Sequence, residues 1–221
     1  MATLKNFWRA AAVALILPSC LGNGYNSYTF SALGVLQRAA QDSSRWWFMT
    51  DDSVTYAPAE ASSAPSYRRA IARMEWNSDI PQREGYYSTV NFTGFEPVAV
   101  LPVVAVGESY LRDSAPNDRE NLRVDWGRVT LQYLTIAAAF SGSDGSKHKF
   151  FLLRDSLQTD QPVKLLFRHS RGGDSGSYQS MSAIMSFDLE TLAERTTQDS
   201  VRLRLIYSDR DTFSFVYRFV R

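Results

Sequence analysis

The chain has 221 residues, with 24 Lys and Arg against 23 Asp and Glu, and a single cysteine. A net charge of +1 lacks the basic excess that a nucleic-acid partner wants. One cysteine excludes an internal disulfide, so the fold has to stand on apolar packing.

Lys5 and Arg9 precede an uncharged run from Ala10 to Leu17, followed by Leu17-Pro18-Ser19-Cys20. A basic start and a short apolar core form the layout of a secretory signal peptide. Crossing a bilayer as a helix would take about 20 apolar residues. The four residues ending at Cys20 resemble the bacterial lipobox, although Pro18 stands where a small residue is more usual. The resemblance implies cleavage before Cys20, a diacylglyceryl thioether on its sulfur and an acylated amino terminus. Two blander readings stand beside it: a soluble secreted protein with a cysteine nearby, and a cytosolic protein with a buried thiol. The expectation is therefore a signal peptide over 1–19 and a lipidated, Gly/Asn/Ser-rich tether over 20–28. Cleavage removes Lys5 and Arg9, leaving 22 basic residues against 23 acidic ones. No acidic residue lies in Leu21-Gly22-Asn23-Gly24, so surface display is not signalled and a periplasm-facing envelope lipoprotein is expected.

From Phe30 onward the apolar pattern has period two, the signature of strands. Leu33 and Val35, then Trp46, Phe48 and Tyr56, read as two strands around a polar turn at Gln41 to Ser44. Pro58 to Pro65 reads as a loop. Ile71 to Asn77, Tyr86 to Phe92 and Val98 to Val106 supply three more strands, the last interrupted by Pro102 and so buried or at an edge. Five short strands in about 80 residues suit an OB-like barrel over 29–111. The polar stretch from Arg112 to Leu122 has no periodicity and reads as the linker, 112–122.

The remainder, 123–221, alternates more cleanly. Val163, Leu165 and Phe167 oppose Lys164 and Arg168; Met181, Ala183, Met185, Phe187 and Leu189 form the next apolar row. Val201, Leu203, Leu205 and Tyr207 oppose Arg202 and Arg204, and Phe213, Phe215, Tyr217 and Phe219 oppose Ser214 and Arg218. Rows with one buried and one wet face predict an antiparallel β-sandwich. Along Val129 to Phe140 the parity switches near Tyr133 and Leu134, which predicts a bulge. Ser141 to Gly145 reads as a hairpin loop, and Leu189 to Arg195 has helical spacing over two turns at most. The fold class is thus all-β, a small OB-like barrel followed by an antiparallel sandwich.

This order of features resembles the NigD-like lipoproteins. The resemblance is carried by Phe167-Arg168-His169 entering a Gly-Asp loop, by Ser186-Phe187-Asp188-Leu189, by Asp199-Ser200-Val201 and by the closing Tyr217-Arg218-Phe219. It is strong over 124–221 and weaker over 28–110. It implies a lipidated cysteine, an OB-type domain and a carboxy-terminal sandwich. The family name comes from a bacteriocin gene cluster, which implies an immunity role without naming a mechanism.

Several residues invite chemistry. Gly173-Asp174-Ser175-Gly176 resembles the serine loop of trypsin-like proteases, yet that site needs a histidine and an aspartate in placed roles, and only His148 and His169 exist. A Gly/Ser turn is the plainer reading. Two histidines and no free thiol are too few for zinc. Asp51 with Asp52, and Asp209 with Asp211, offer too few oxygens for calcium and read as turn formers. Trp46, Trp47, Arg68, Arg69 and Arg73 on an OB-like barrel could stack on bases and meet phosphates, but the charge balance and export favour an oligosaccharide or peptide on such a face. Glu108, Asp113 and Glu120 read as solvated linker acids. No nucleophile, base and orienting group can be assembled, so a binding protein without cofactor or metal is expected. Its partners are the membrane, through lipid on Cys20, and a protein or oligosaccharide, with no nucleic acid.

Overall fold

The computed structural model describes residues 27–40, 42–60, 62–113, 122–175, 179–193, 199–207 and 212–218. The expected signal peptide, Cys20, most of the expected tether, the residues of the expected linker from 114 to 121, Asp209 to Asp211 and Phe219 lie outside them. The chain divides into two compact units that meet in sequence between Pro97 and Val98.

The first unit is a closed barrel of β1 (Ser27–Ala39), β2 (Asp42–Thr50), β3 (Thr55–Pro58), β4 (Arg69–Asn77) and β5 (Ser88–Pro97), in the order β1-β2-β3-β5-β4. The pairs are antiparallel except β3 with β5, which is parallel. Closure removes the open edges that a short sheet would expose. The long β1 makes this possible by serving two neighbours: Ser27 to Val35 pair with β4, and Gly34 to Ala39 with β2. At the overlap the strands crowd so closely that a β-carbon on Gly34 would lie 2.2 Å from the Met49 carbonyl oxygen. Period-two alternation sends Leu36, Trp46, Phe48, Ala70, Ala72, Met74 and Val90 inward. Asp51, in the turn after β2, takes both guanidinium nitrogens of fully buried Arg69, at 2.8 and 2.9 Å.

The OB-like barrel is therefore present, but its fifth strand is not Val98 to Val106. Tyr56, read as the end of the Trp46 strand, belongs to the separate four-residue β3. Such a strand is too short to announce itself by alternation.

Val98 to Val106 contributes instead β6 (Ala99–Val106), which lies in the second unit with β7 (Arg123–Thr130), β8 (Tyr133–Gly142), β9 (Lys149–Asp155), β10 (Val163–Ser170), β11 (Gln179–Asp188), β12 (Ser200–Ile206) and β13 (Thr212–Arg218). Their order is β13-β12-β10-β9-β6-β11-β8-β7. β6 is the strand that changes partners: Ala99 to Pro102 run parallel to β11, then Val103 to Val106 run parallel to β9. Pro102, which has no N–H to give a ladder, falls at the handover. The expected boundary at 112–122 is thus corrected: the barrel ends at Pro97, with a central strand of the sandwich directly after it. α1 (Glu108–Asp113) occupies the start of the expected linker.

The sheet turns over on itself, so that Gly127 of β7 lies against the Phe215 ring of β13. Leu134, Ile136, Met185 and Phe187 from one half pack against Leu165, Phe167, Leu203 and Leu205 from the other, with Phe167 and Phe187 edge to face at 6.0 Å. Burying each such side chain contributes about 1.5–3 kcal/mol. Of the apolar rows read from sequence on β10, β11, β12 and β13, every described residue except Met181 belongs to this core or packs against it. The sandwich is not antiparallel throughout, since β6–β9, β6–β11 and β10–β12 are parallel. The expected bulge near Tyr133 is a hairpin turn, Thr130 pairing with Tyr133 across Leu131 and Gln132. Leu131 there takes a left-handed φ of 52°. Of the expected two-turn helix, α2 (Glu190–Ala193) is described. Among the described residues no helix is long and apolar enough to cross a membrane.

Candidate functional site

The one buried polar cluster that joins separate elements through both histidines lies where β8, β9 and β10 end or begin. Antiparallel pairing sets His169 opposite Phe150 and Ser170 opposite Lys149, which brings His148, just before β9, beside His169 near the end of β10. After β10 the chain turns through Gly172 and Gly173, both with positive φ (58° and 81°), a conformation glycine adopts without the steric cost of a β-carbon. A β-carbon on Gly172 would lie 2.2 Å from the Lys147 carbonyl oxygen. This turn delivers Asp174 back onto the β8–β9 connection.

Asp174 is 4% exposed, His148 8% and His169 2%. The Asp174 carboxylate accepts from the Ser143 hydroxyl, from the Ser143 and Asp144 amides at 2.6 and 3.0 Å, and from His148 Nε2 at 3.1 Å. His148 Nδ1 faces His169 Nε2 at 2.7 Å, and the two rings stack with centroids 4.9 Å apart, beside Phe140 and Phe150. The tautomer of His148 that donates Nε2–H to the carboxylate leaves Nδ1 bare to accept from the Nε2–H of His169. Gly142 admits the cluster: a β-carbon there would sit 2.4 Å from His148 Nε2 and 2.7 Å from Asp174 Oδ2. The hydrogen bonds, led by the Ser143 hydroxyl, hold the Asp174 carboxyl far below the usual carboxylate range.

Chemically this is an Asp–His–His chain. In a serine hydrolase the hydroxyl sits on the imidazole and the carboxylate behind it; here the Ser143 hydroxyl sits on the carboxylate and the imidazole meets a second imidazole. Ser175 is exposed, Gly176 lies outside the described residues, and the aspartate of the Gly-Asp-Ser-Gly run is turned inward as a tie between two loops. Among the described residues no three His, Cys, Asp or Glu side chains are grouped to hold a metal.

The other residues singled out from sequence are dispersed. Both Asp51 oxygens are engaged by Arg69, so neither residue is available to calcium or to a phosphate. Trp46 is 4% exposed and donates Nε1–H to the Ser62 carbonyl at 2.7 Å, so it offers no stacking face, while Arg68 and Arg73 are exposed. Glu108 and Asp113 bound α1. Sequence reasoning missed the meeting of Asp174 with the two histidines. The available signal was the Gly172-Gly173 pair, which turns the chain sharply just before the acid.

The family described as NigD-like C-terminal beta sandwich domain matches residues 102–216, more than half of the chain. The chain belongs to that family. The NigD-like segment contains the whole Asp–His–His chain, from Gly142 to Asp174, and begins inside β6. No curated protein sequence matches. Among solved structures, a DUF1344 protein of unknown function from Bacteroides vulgatus superposes with a TM-score of 0.63 at 11% identity, over 87% of this chain and 92% of that one. A protein described as toxin-related, from Parabacteroides distasonis, gives 0.62 at 14%, over 86% and 93%. A NigD-like immunity protein from Bacteroides caccae gives 0.58 at 16%, over 85% and 96%. Likeness at these identities establishes a common fold across both units.

Proposed function

We propose that this NigD-like protein is a lipid-anchored protein of the bacterial cell envelope that acts by binding a partner and not by catalysis. The observation that carries the anchoring is the single cysteine at the end of Leu17-Pro18-Ser19-Cys20, behind a basic start and an apolar run too short to span a bilayer. Two or more acyl chains hold a protein to a membrane stably where one holds it marginally. The binding role is supported by the Asp–His–His chain, whose carboxylate and imidazoles are engaged with one another and with loop backbone. The partner we favour is a protein toxin or another envelope protein. That choice draws on the immunity protein and the toxin-related protein that share the fold.

The anchoring is tested by labelling cells with palmitate. Label is expected in the wild type and absent from Cys20→Ala; label on the alanine variant sinks the anchor. The immunity reading predicts that deleting the gene sensitises the cell to a bacteriocin of a neighbouring strain, and that Cys20→Ala does not restore protection.

A further inference from the structure

The end of the barrel at which the chain enters is aromatic. Tyr28, the second residue of β1, is the register partner of Trp76 near the end of β4, and their rings stack 5.2 Å apart. Phe30 lies 5.6 Å from Tyr28 and 5.4 Å from Tyr56 of β3. Tyr87, immediately before β5, meets Tyr56 edge to face at 5.8 Å. The outer members are open to solvent, Tyr28 being 39% and Tyr87 74% exposed. The Tyr56 hydroxyl is pushed up to about 12 by burial first and then by the Tyr87 and Tyr28 phenols, which places three phenols at one mouth.

We infer that this aromatic mouth rests on the headgroup layer of the membrane that holds Cys20, with Tyr28 and Tyr87 lying in the interface. The inference depends on the lipidation proposed above. Its occupant is fixed by chain length: Tyr28 is the eighth residue after Cys20, and at 3.3–3.6 Å per residue even a fully extended tether holds it within about 29 Å of the anchored sulfur. A ring with a polar tip suits the boundary where one end is apolar and the other wet, which is why Tyr and Trp gather at membrane interfaces. A short tether also supplies an effective concentration in the millimolar range, so two rings too weak to recruit a free protein suffice once the lipid is in place. Charge does not do this work. Asp79, Arg83 and Glu84, all exposed on the β4–β5 loop beside the mouth, bring one cation against two anions and give an anionic bilayer nothing to attract.

The test uses the lipidated protein reconstituted in phosphatidylethanolamine/phosphatidylglycerol vesicles. With the Cys20 sulfur in thioether linkage, Glu84→Cys provides one reactive thiol beside the mouth, and Ala40→Cys, beyond the far end of β1, provides the control. Each carries an environment-sensitive fluorophore. The Glu84→Cys probe is expected to shift to the blue and to be quenched severalfold more by brominated lipid than the Ala40→Cys probe, at low and high salt alike. Adding Tyr28→Ser and Tyr87→Ser is expected to abolish the difference. Equal quenching at both positions, or a difference that survives the double serine change, overturns the inference. A Glu84→Cys probe that answers to soluble envelope oligosaccharide and ignores lipid overturns it in favour of a sugar stacked on the same rings. Failure of the anchor reads differently: unlabelled protein then fails to float with vesicles at all, whereas floating protein with an unquenched probe refutes the aromatic contact alone.

Discussion

Asp174 ties the loop after β10 to the loop after β8, and its carboxylate does so most strongly while ionised. Its carboxyl is held below the ordinary value of 3.8 by the Ser143 hydroxyl first, then by the Ser143 and Asp144 amides and the His148 imidazole. A group whose folded value is depressed contributes stability that is complete above the unfolded value and is lost as pH falls toward the folded one. The urea midpoint of the wild type is therefore expected to drop as pH is lowered from about 5 to about 2. Asp174→Asn should lower the midpoint at pH 6 and flatten the fall below pH 5; an unchanged acid limb in the variant would remove Asp174 from this role. From the sequence alone Gly173-Asp174-Ser175 was legible as a turn. What could not be read was the direction of the carboxylate, because the groups that recruit it, Ser143 and His148, lie 31 and 26 residues away.

At the scale of elements, alternation located most strands, and its failures share a cause. β3 is four residues long, below the length at which period two can be distinguished from chance. The parity switch along Val129 to Phe140 was real but its meaning was ambiguous. A bulge and a two-residue turn both exchange the faces, and the left-handed residue that makes the turn is Leu131, not the glycine or asparagine that would signal it. Barrel closure depends on Gly34, whose missing side chain lets β1 pass β2 against the Met49 backbone. Because backbone cannot swing aside as a flexible side chain can, Gly34→Ala is expected to cost about 3 kcal/mol, the upper end for overpacking. The tryptophan fluorescence of buried Trp46 should report it as a lowered urea midpoint. An alanine variant with the wild-type midpoint would show that the strands can separate without loss.

At the scale of the molecule, the barrel and the sandwich abut in sequence at Pro97 and Val98, and β6 is the element on which the division turns. It lies between β9 and β11 and passes from one to the other, so a sandwich without it is split in two. A fragment of residues 98–221 is expected to fold, with a cooperative thermal transition and dispersed amide resonances. A fragment of 123–221, cut where polarity alone suggests a linker, should lack both. Cooperative folding of the shorter fragment would mean that β6 is dispensable.

The sequence by itself determined the all-β class, the faces of β10 to β13, the NigD-like resemblance and the expectation of a lipid anchor at Cys20. Each of these is written in local pattern, in which a residue's neighbours along the chain settle whether it faces apolar core or water. The tertiary structure alone decided that Val98 to Val106 serves the sandwich and not the barrel. It also decided that three strand pairs of the sandwich and one of the barrel run parallel, that His148, His169 and Asp174 meet, and that Tyr28, Tyr56 and Tyr87 share one mouth. These depend on which distant segments become neighbours, and an apolar strand such as β6 satisfies the burial pattern equally well in either sheet; only the hydrogen-bonding edges open to it after the chain has folded choose between them.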